Sequence, residues 1–145
     1  MLFGWAGRGD AMDDDLLMVL VIEDDLAVQA IVDEALCDGG FEPALAASGE
    51  EAVTLLKGRT TAYRALVTDI YLKGSTMDGW KVAKQVREID PEFPIVYMTG
   101  AAADQWPSHG VPNSILLTKP FAPAQLVTAL SQLLNAGSPP TAPAP

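Results

Sequence analysis

Four apolar runs in this sequence each end in a polar group capable of chemistry. VLVIEDD (Val19–Asp25) leads into Glu23, Asp24 and Asp25. LVTDIYL (Leu66–Leu72) carries Asp69, IVYMTG (Ile95–Gly100) carries Thr99, and ILLTKPF (Ile115–Phe121) carries Lys119. An ionised carboxylate at the end of a buried run is costly unless it is paired or bound to metal. Two carboxylates about 4 Å apart repel by roughly 4 kcal/mol at an effective dielectric of about 20, equivalent to about three pKa units. Glu23, Asp24 and Asp69, if brought together, would not stay ionised without help. A hard divalent cation such as Mg²⁺ (or Mn²⁺) supplies it, bound through carboxylates, a carbonyl and waters. Such an ion would also offset the charge of an incoming phosphate. Lys119 offers a mobile positive charge and Thr99 a hydroxyl donor. Asp69 is then a candidate nucleophile toward phosphorus, because carboxylates form aspartyl phosphates.

Each residue also has a plainer reading. Asp24 and Asp25 could cap a following helix, Asp69 could be a loop acid, Thr99 a strand residue and Lys119 a surface charge. The plain readings require every polar strand end to share one rim by accident. The single histidine, His109, lies in a Pro/Gly-rich loop without a nucleophile context, so no Ser/His/Asp triad is formed.

The elements that position these groups follow from periodicity. Leu16–Ile22 is a continuous apolar run, as expected of a strand covered on both faces. Val28, Ile31, Val32, Ala35 and Leu36 form a helical stripe that Gly39-Gly40 terminates. Phe41–Ala46 is a second strand, and its Pro43 favours an edge position. Ser48 and Glu51 form a capping box for the next helix. Strand Ala65–Ile70, a loop Tyr71–Asp78, a helix from Gly79 to Ile89 and strand Pro94–Thr99 follow. Ala101–Gln105 makes at best a short helix, closed off by Pro107 and Gly110. Strand Ser114–Thr118 and a helix from about Ala122, with a stripe of Leu126, Val127, Leu130, Leu133 and Leu134, complete the series. Five β–α alternations predict an α/β fold, a (βα)5 doubly wound parallel sheet. Right-handed crossovers leave few topologies, and Pro43 fits the flavodoxin-like strand order 2-1-3-4-5. Sites in such sheets form at the carboxyl ends of the strands, where the polar residues lie.

The 145 residues suit one domain, and the net charge of −10 argues against a nucleic-acid partner. Cys37 is the sole cysteine, which excludes an intrachain disulfide and a thiolate metal cage. The seven-residue run Leu16–Ile22 is too short to span a membrane. Residues 1–14 read as a flexible acidic leader whose RGD (Arg8–Asp10) arises by chance. Residues 137–145 read as a disordered Pro/Ala-rich tail, leaving the domain at 15–136. A cytoplasmic location is expected.

Taken in order, the acidic pair of VLVIEDD, the acceptor of LVTDIYL followed by MDGW, the hydroxyl of IVYMTG and the lysine of LLTKPF resemble the response-regulator receiver domain of two-component signalling. The resemblance covers about Leu17 to Asn135. It implies that Asp69 is the phospho-acceptor, taking a phosphoryl group from a phosphohistidine on a sensor histidine kinase or histidine phosphotransfer protein. It implies Mg²⁺ bound by Asp24, Asp69 and the backbone carbonyl of Tyr71, with Glu23 acting through a water. Thr99 and Lys119 would contact the phosphoryl group, and Lys119-Pro120 would be a cis bond. Asp25 is the neighbour of the acidic pair rather than a ligand. The chemistry would be self-phosphorylation and self-dephosphorylation, not turnover of a substrate. With no room for an output domain, a stand-alone module acting on an unknown downstream protein is expected.

Three departures from the family pattern stand out. The loop from Asp69 to Gly79 is about two residues longer than usual, with Lys73 where proline is common. Leu116 occupies the position of a customary aromatic switch. The segment Ala101–Pro112 is short and broken, and Trp106 is expected to pack within it. Leu116 and the long loop favour an alternative, a pseudo-receiver that binds partners without phosphorylation. The intact polar set argues against it. A metal-dependent aspartyl-phosphate phosphatase is a weaker alternative, because Tyr71 stands where such enzymes carry a second acid.

Overall fold

The computed structural model describes residues 16–58 and 63–136. The expected leader, with its RGD, and the expected tail from 137 lie outside the described residues. Strands β1 (Leu17–Ile22), β2 (Phe41–Ala46), β3 (Tyr63–Asp69), β4 (Ile95–Thr99) and β5 (Ile115–Thr118) form one sheet in the order β2-β1-β3-β4-β5. Every pairing is parallel. The doubly wound fold and strand order expected from the sequence are thus present, and Pro43 lies on edge strand β2, where a missing ladder donor is tolerated.

Helices α1 (Leu26–Asp38), α2 (Gly49–Gly58), α3 (Gly79–Ile89), α4 (Trp106–His109) and α5 (Pro123–Ala136) connect or follow the strands. Alternate strand residues feed two cores, as a sheet covered on both faces requires. Leu20, Ile22, Leu66, Ile95 and Tyr97 face one cluster with Trp80, Val82 and Val86. Val19, Val21, Val67, Val96 and Met98 face the other with Leu36, Leu126 and Leu130. α2 packs beside α3 on the first face, and α1 beside α5 on the second.

Local chemistry starts and stops the helices. The Asp25 carboxylate accepts the N–H groups of Ala27 (2.9 Å) and Val28 (3.3 Å), capping α1. Ser48 Oγ accepts the Glu51 N–H at 3.1 Å, but the Glu51 carboxylate accepts from Ala47 N–H rather than from Ser48, so the capping box is displaced by one residue.

Two expectations need correction. Ile31 is 44% exposed. At 3.6 residues per turn it lies about a quarter-turn from the centre of the buried trio Val32, Ala35 and Leu36. The segment expected to close at Pro107 instead forms a 3₁₀ turn, Ala103–Gln105, and then one turn of α-helix that carries Pro107 in its first turn. Proline costs nothing there, because a first-turn N–H has no intrahelical partner. Trp106 does pack in this segment: its Nε1–H donates to Ser114 Oγ at 3.0 Å. Among the described residues, no helix is long and apolar enough to cross a membrane.

Candidate functional site

The sheet register assembles the site. Ile22 pairs with Thr68, so Glu23 and Asp69 emerge side by side from β1 and β3. Asp69 pairs with Met98, and Thr99 with Thr118, which brings the ends of β4 and β5 to the same rim. Each carboxylate has a distinct setting. Glu23 has a fully buried side chain, while that of Asp69 is 14% exposed. Asp24 is exposed. One ligand oxygen from each of the three lies within 4.8 Å of the others.

Lys119 bridges two of them. Its Nζ donates to Glu23 Oε1 at 2.8 Å and to Asp69 Oδ2 at 2.9 Å. The remaining oxygens accept backbone amides: Glu23 Oε2 from Asp25 at 2.9 Å, and Asp69 Oδ1 from Ile70 at 2.7 Å. Burial pushes the Glu23 carboxyl above its ordinary range, against the opposing pull of the Lys119 hydrogen bond. Burial disfavours the Lys119 charge too, but its bonds to Glu23 and Asp69 outweigh this and raise its pKa. One lysine against three acids leaves net negative charge facing outward, a setting suited to a divalent cation.

Thr99 is buried, and its Oγ1 accepts the N–H groups of Ala101 (3.2 Å) and Ala102 (2.9 Å). The hydroxyl proton remains for donation. The Thr99 carbonyl accepts the Lys119 N–H at 2.8 Å, tying the two functional strand ends together, and the Lys119-Pro120 bond is cis. Tyr71 lies in the loop after β3 and is 57% exposed. Asp25 is occupied as the α1 cap. All five side chains expected at the rim are therefore there. A cavity of about 640 Å³ beside Tyr63, Phe93 and Leu133 lies at the opposite strand ends and contributes nothing to this rim.

Sequence reasoning missed the support behind the site. Gln29 Nε2 donates to the Glu23 carbonyl, fixing the backbone that leads into the acidic pair. Glu50, at the start of α2, accepts hydrogen bonds from Ser75 and Thr76 in the loop that follows Asp69. The Glu50 contacts leave no local signal, since they span more than twenty positions.

Comparison with known proteins bears on this geometry. Residues 19–131 match the family model of the response regulator receiver domain. A response regulator receiver protein from Sinorhizobium medicae WSM419 is 45% identical, with a TM-score of 0.79, covering 84% of this chain and 97% of that one. The receiver domain of NtrX from Brucella abortus is 26% identical, with a TM-score of 0.73, covering 82% of this chain and 99% of that one. A putative NtrX-like response regulator from Rickettsia bellii is 27% identical over 81% of this chain, which spans only 24% of that relative's length. With the family's motif residues gathered on one rim of the family's fold, the chain belongs to the response regulator receiver domains of two-component signalling.

Proposed function

We propose that Asp69 accepts a phosphoryl group from a phosphohistidine on a sensor histidine kinase or histidine phosphotransfer protein, and that the phosphorylated chain signals through contact with a downstream protein. The single observation that carries this reading is the double bridge of Lys119, 2.8 Å from Glu23 and 2.9 Å from Asp69. An ammonium bonded to the Asp69 carboxylate supports the reading, because phosphate charge would develop there.

Receiver domains generally bind Mg²⁺ at an acidic cluster, and the present donors fit one: hard oxygens, converging, and under-neutralised by a single lysine. Glu23, Asp24, Asp69 and the Tyr71 carbonyl would hold the ion, Mg²⁺ or Mn²⁺. When bound, it neutralises the carboxylates and the incoming phosphoryl oxygens. Asp69 attacks phosphorus, so that a P–O bond forms as the P–N bond breaks. The imidazole nitrogen leaves with the electron pair and takes up a proton. Lys119 exchanges Asp69 for a phosphoryl oxygen, and the Thr99 hydroxyl donates its free proton to another. Water later attacks the same phosphorus, the P–O bond to Asp69 breaks with its electron pair returning to the carboxylate, and inorganic phosphate leaves, so the chemistry is the domain's own rather than turnover of a substrate. Partnership with a kinase of this class accords with a cytoplasmic location.

The test is labelling with phosphoramidate or acetyl phosphate in the presence of Mg²⁺, read by intact mass. One phosphoryl group is expected on the wild type and none on Asp69→Asn or after chelation. An unlabelled wild type, or a labelled Asp69→Asn, overturns the reading. The first result would favour a module that binds without phosphorylation.

A further inference from the structure

The loop between β3 and α3 is pinned at three places. At its neck, Gly79 N–H donates to Ile70 O at 2.7 Å. At its inner turn, Lys73 N–H donates to Asp24 Oδ2 at 3.3 Å, so loop backbone touches the acidic cluster directly. That turn is closed by Ser75 N–H on Leu72 O at 3.3 Å and needs a left-handed residue, supplied by Gly74 at φ 74°. The third anchor comes from outside the loop. Glu50 Oε1 accepts from Ser75 Oγ at 2.7 Å, while Oε2 accepts the Thr76 N–H at 2.7 Å and the Thr76 hydroxyl. Ser75 Oγ in turn accepts the Gly49 N–H at 3.2 Å, serving the open start of α2. One carboxylate of α2 thus gathers three loop donors.

We propose that Glu50 is a positioning residue for the cation pocket: by latching Ser75 and Thr76 it holds the Tyr71–Lys73 backbone against Asp24 before any ion arrives. The inference rests on the acidic cluster being a cation site. Its physical basis is pre-organisation. A nine-residue loop left untethered must be ordered when the ion binds, and that ordering cost is subtracted from affinity. With the latch closed, the cost is met during folding. Glu50 is well suited to a permanent role, since the bonds from Thr76 and Ser75 hold its carboxyl down to about 2 and keep it ionised.

The experiment titrates Mg²⁺ alone, without phosphodonor, into the wild type, Glu50→Ala, Glu50→Gln and the double variant Ser75→Ala/Thr76→Val. Affinity is read by calorimetry, and melting temperature with and without Mg²⁺. Glu50→Ala and the double variant should bind about tenfold more weakly, the lower end of what outer supports of a metal site are worth. Glu50→Gln, which keeps one acceptor, should fall between. Equal affinity in wild type and Glu50→Ala overturns the latch and leaves the cation site standing. A lower metal-free melting temperature with an unchanged Mg²⁺ increment marks Glu50 as merely structural, which also overturns it. A wild type that binds no ion removes the site itself, and the latch with it. If Glu50→Ala fails to fold, amide exchange on the wild type decides: protected Lys73 and Thr76 amides support the latch, and free-amide rates refute it.

Discussion

Tyr71 stands two residues beyond Asp69, the proposed phospho-acceptor, and is more than half exposed. On the proposed function, a ring swung over a phosphoryl group on Asp69 would obstruct the water that removes it. Tyr71→Asn should shorten the lifetime of phospho-Asp69 several-fold, followed as loss of acyl phosphate after the donor is removed. An unchanged lifetime refutes the obstruction. At this scale the candidate site was legible in the sequence, because Glu23, Asp24, Asp69, Thr99 and Lys119 each lie at the end of an apolar run, and parallel strands bring such ends to one rim. Glu50 was not legible. An acid in the first turn of a helix is already explained by the helix dipole, so nothing in its own neighbourhood points to Ser75 and Thr76.

The β3–α3 connection shows what backbone proximity demands of an element. A Cβ placed on Gly79 would lie 2.2 Å from the Asp69 carbonyl oxygen and 3.0 Å from Ile70 Cα. Both are backbone atoms and cannot turn aside. Gly79→Ala should cost about 1–3 kcal/mol in urea unfolding and should also slow the proposed phosphorylation, because the strain falls on Asp69. Loss of stability below that range with normal labelling would contradict this close approach. The strands and the long helices were readable from their periods. The α4 region was misread because Pro107 was taken as a terminator, whereas in a helix of one turn almost every residue is an end. Strand β3 begins at Tyr63, two residues earlier than alternation suggested, since buried Tyr63 and exposed Arg64 extend the ladder without enlarging the apolar run.

Across the whole molecule, the charge set of the rim and its support defines a pH window for stability. Glu50 titrates at about 2 in the folded chain against 4.5 when free. Its contribution is therefore complete above 4.5 and is lost as pH falls toward 2. Lys119 is raised above 10.5, so its contribution is complete below that value and is lost as pH rises through the folded one. Comparing Glu50→Gln with the wild type by thermal melts, the wild-type advantage at neutral pH should close between about 4.5 and 2. A gap that stays constant across that range would show that the carboxylate charge is not what the loop binds. The strand order was among the few that β–α alternation allows, and Pro43 fitted its edge strand, but the loop-to-helix support was not legible, because it depends on how α2 and the β3–α3 loop meet in three dimensions.

Leu116 sits half-buried in the same cluster as Tyr97, its neighbour across the ladder. Tyr97 is wholly buried, packs against Trp80 with ring centroids 4.7 Å apart and planes tilted by 57°, and accepts the Val111 N–H at 3.1 Å through its hydroxyl. Thr99 lies two positions further along that strand and therefore on the same side of the sheet. In this chain the hydroxyl that would detect phosphate and the aromatic ring that could relay its movement are consecutive teeth of one strand. If Asp69 is phosphorylated as proposed, the contacts in place for a relay run down β4 to the Trp80 ring and the short segment leading to β5.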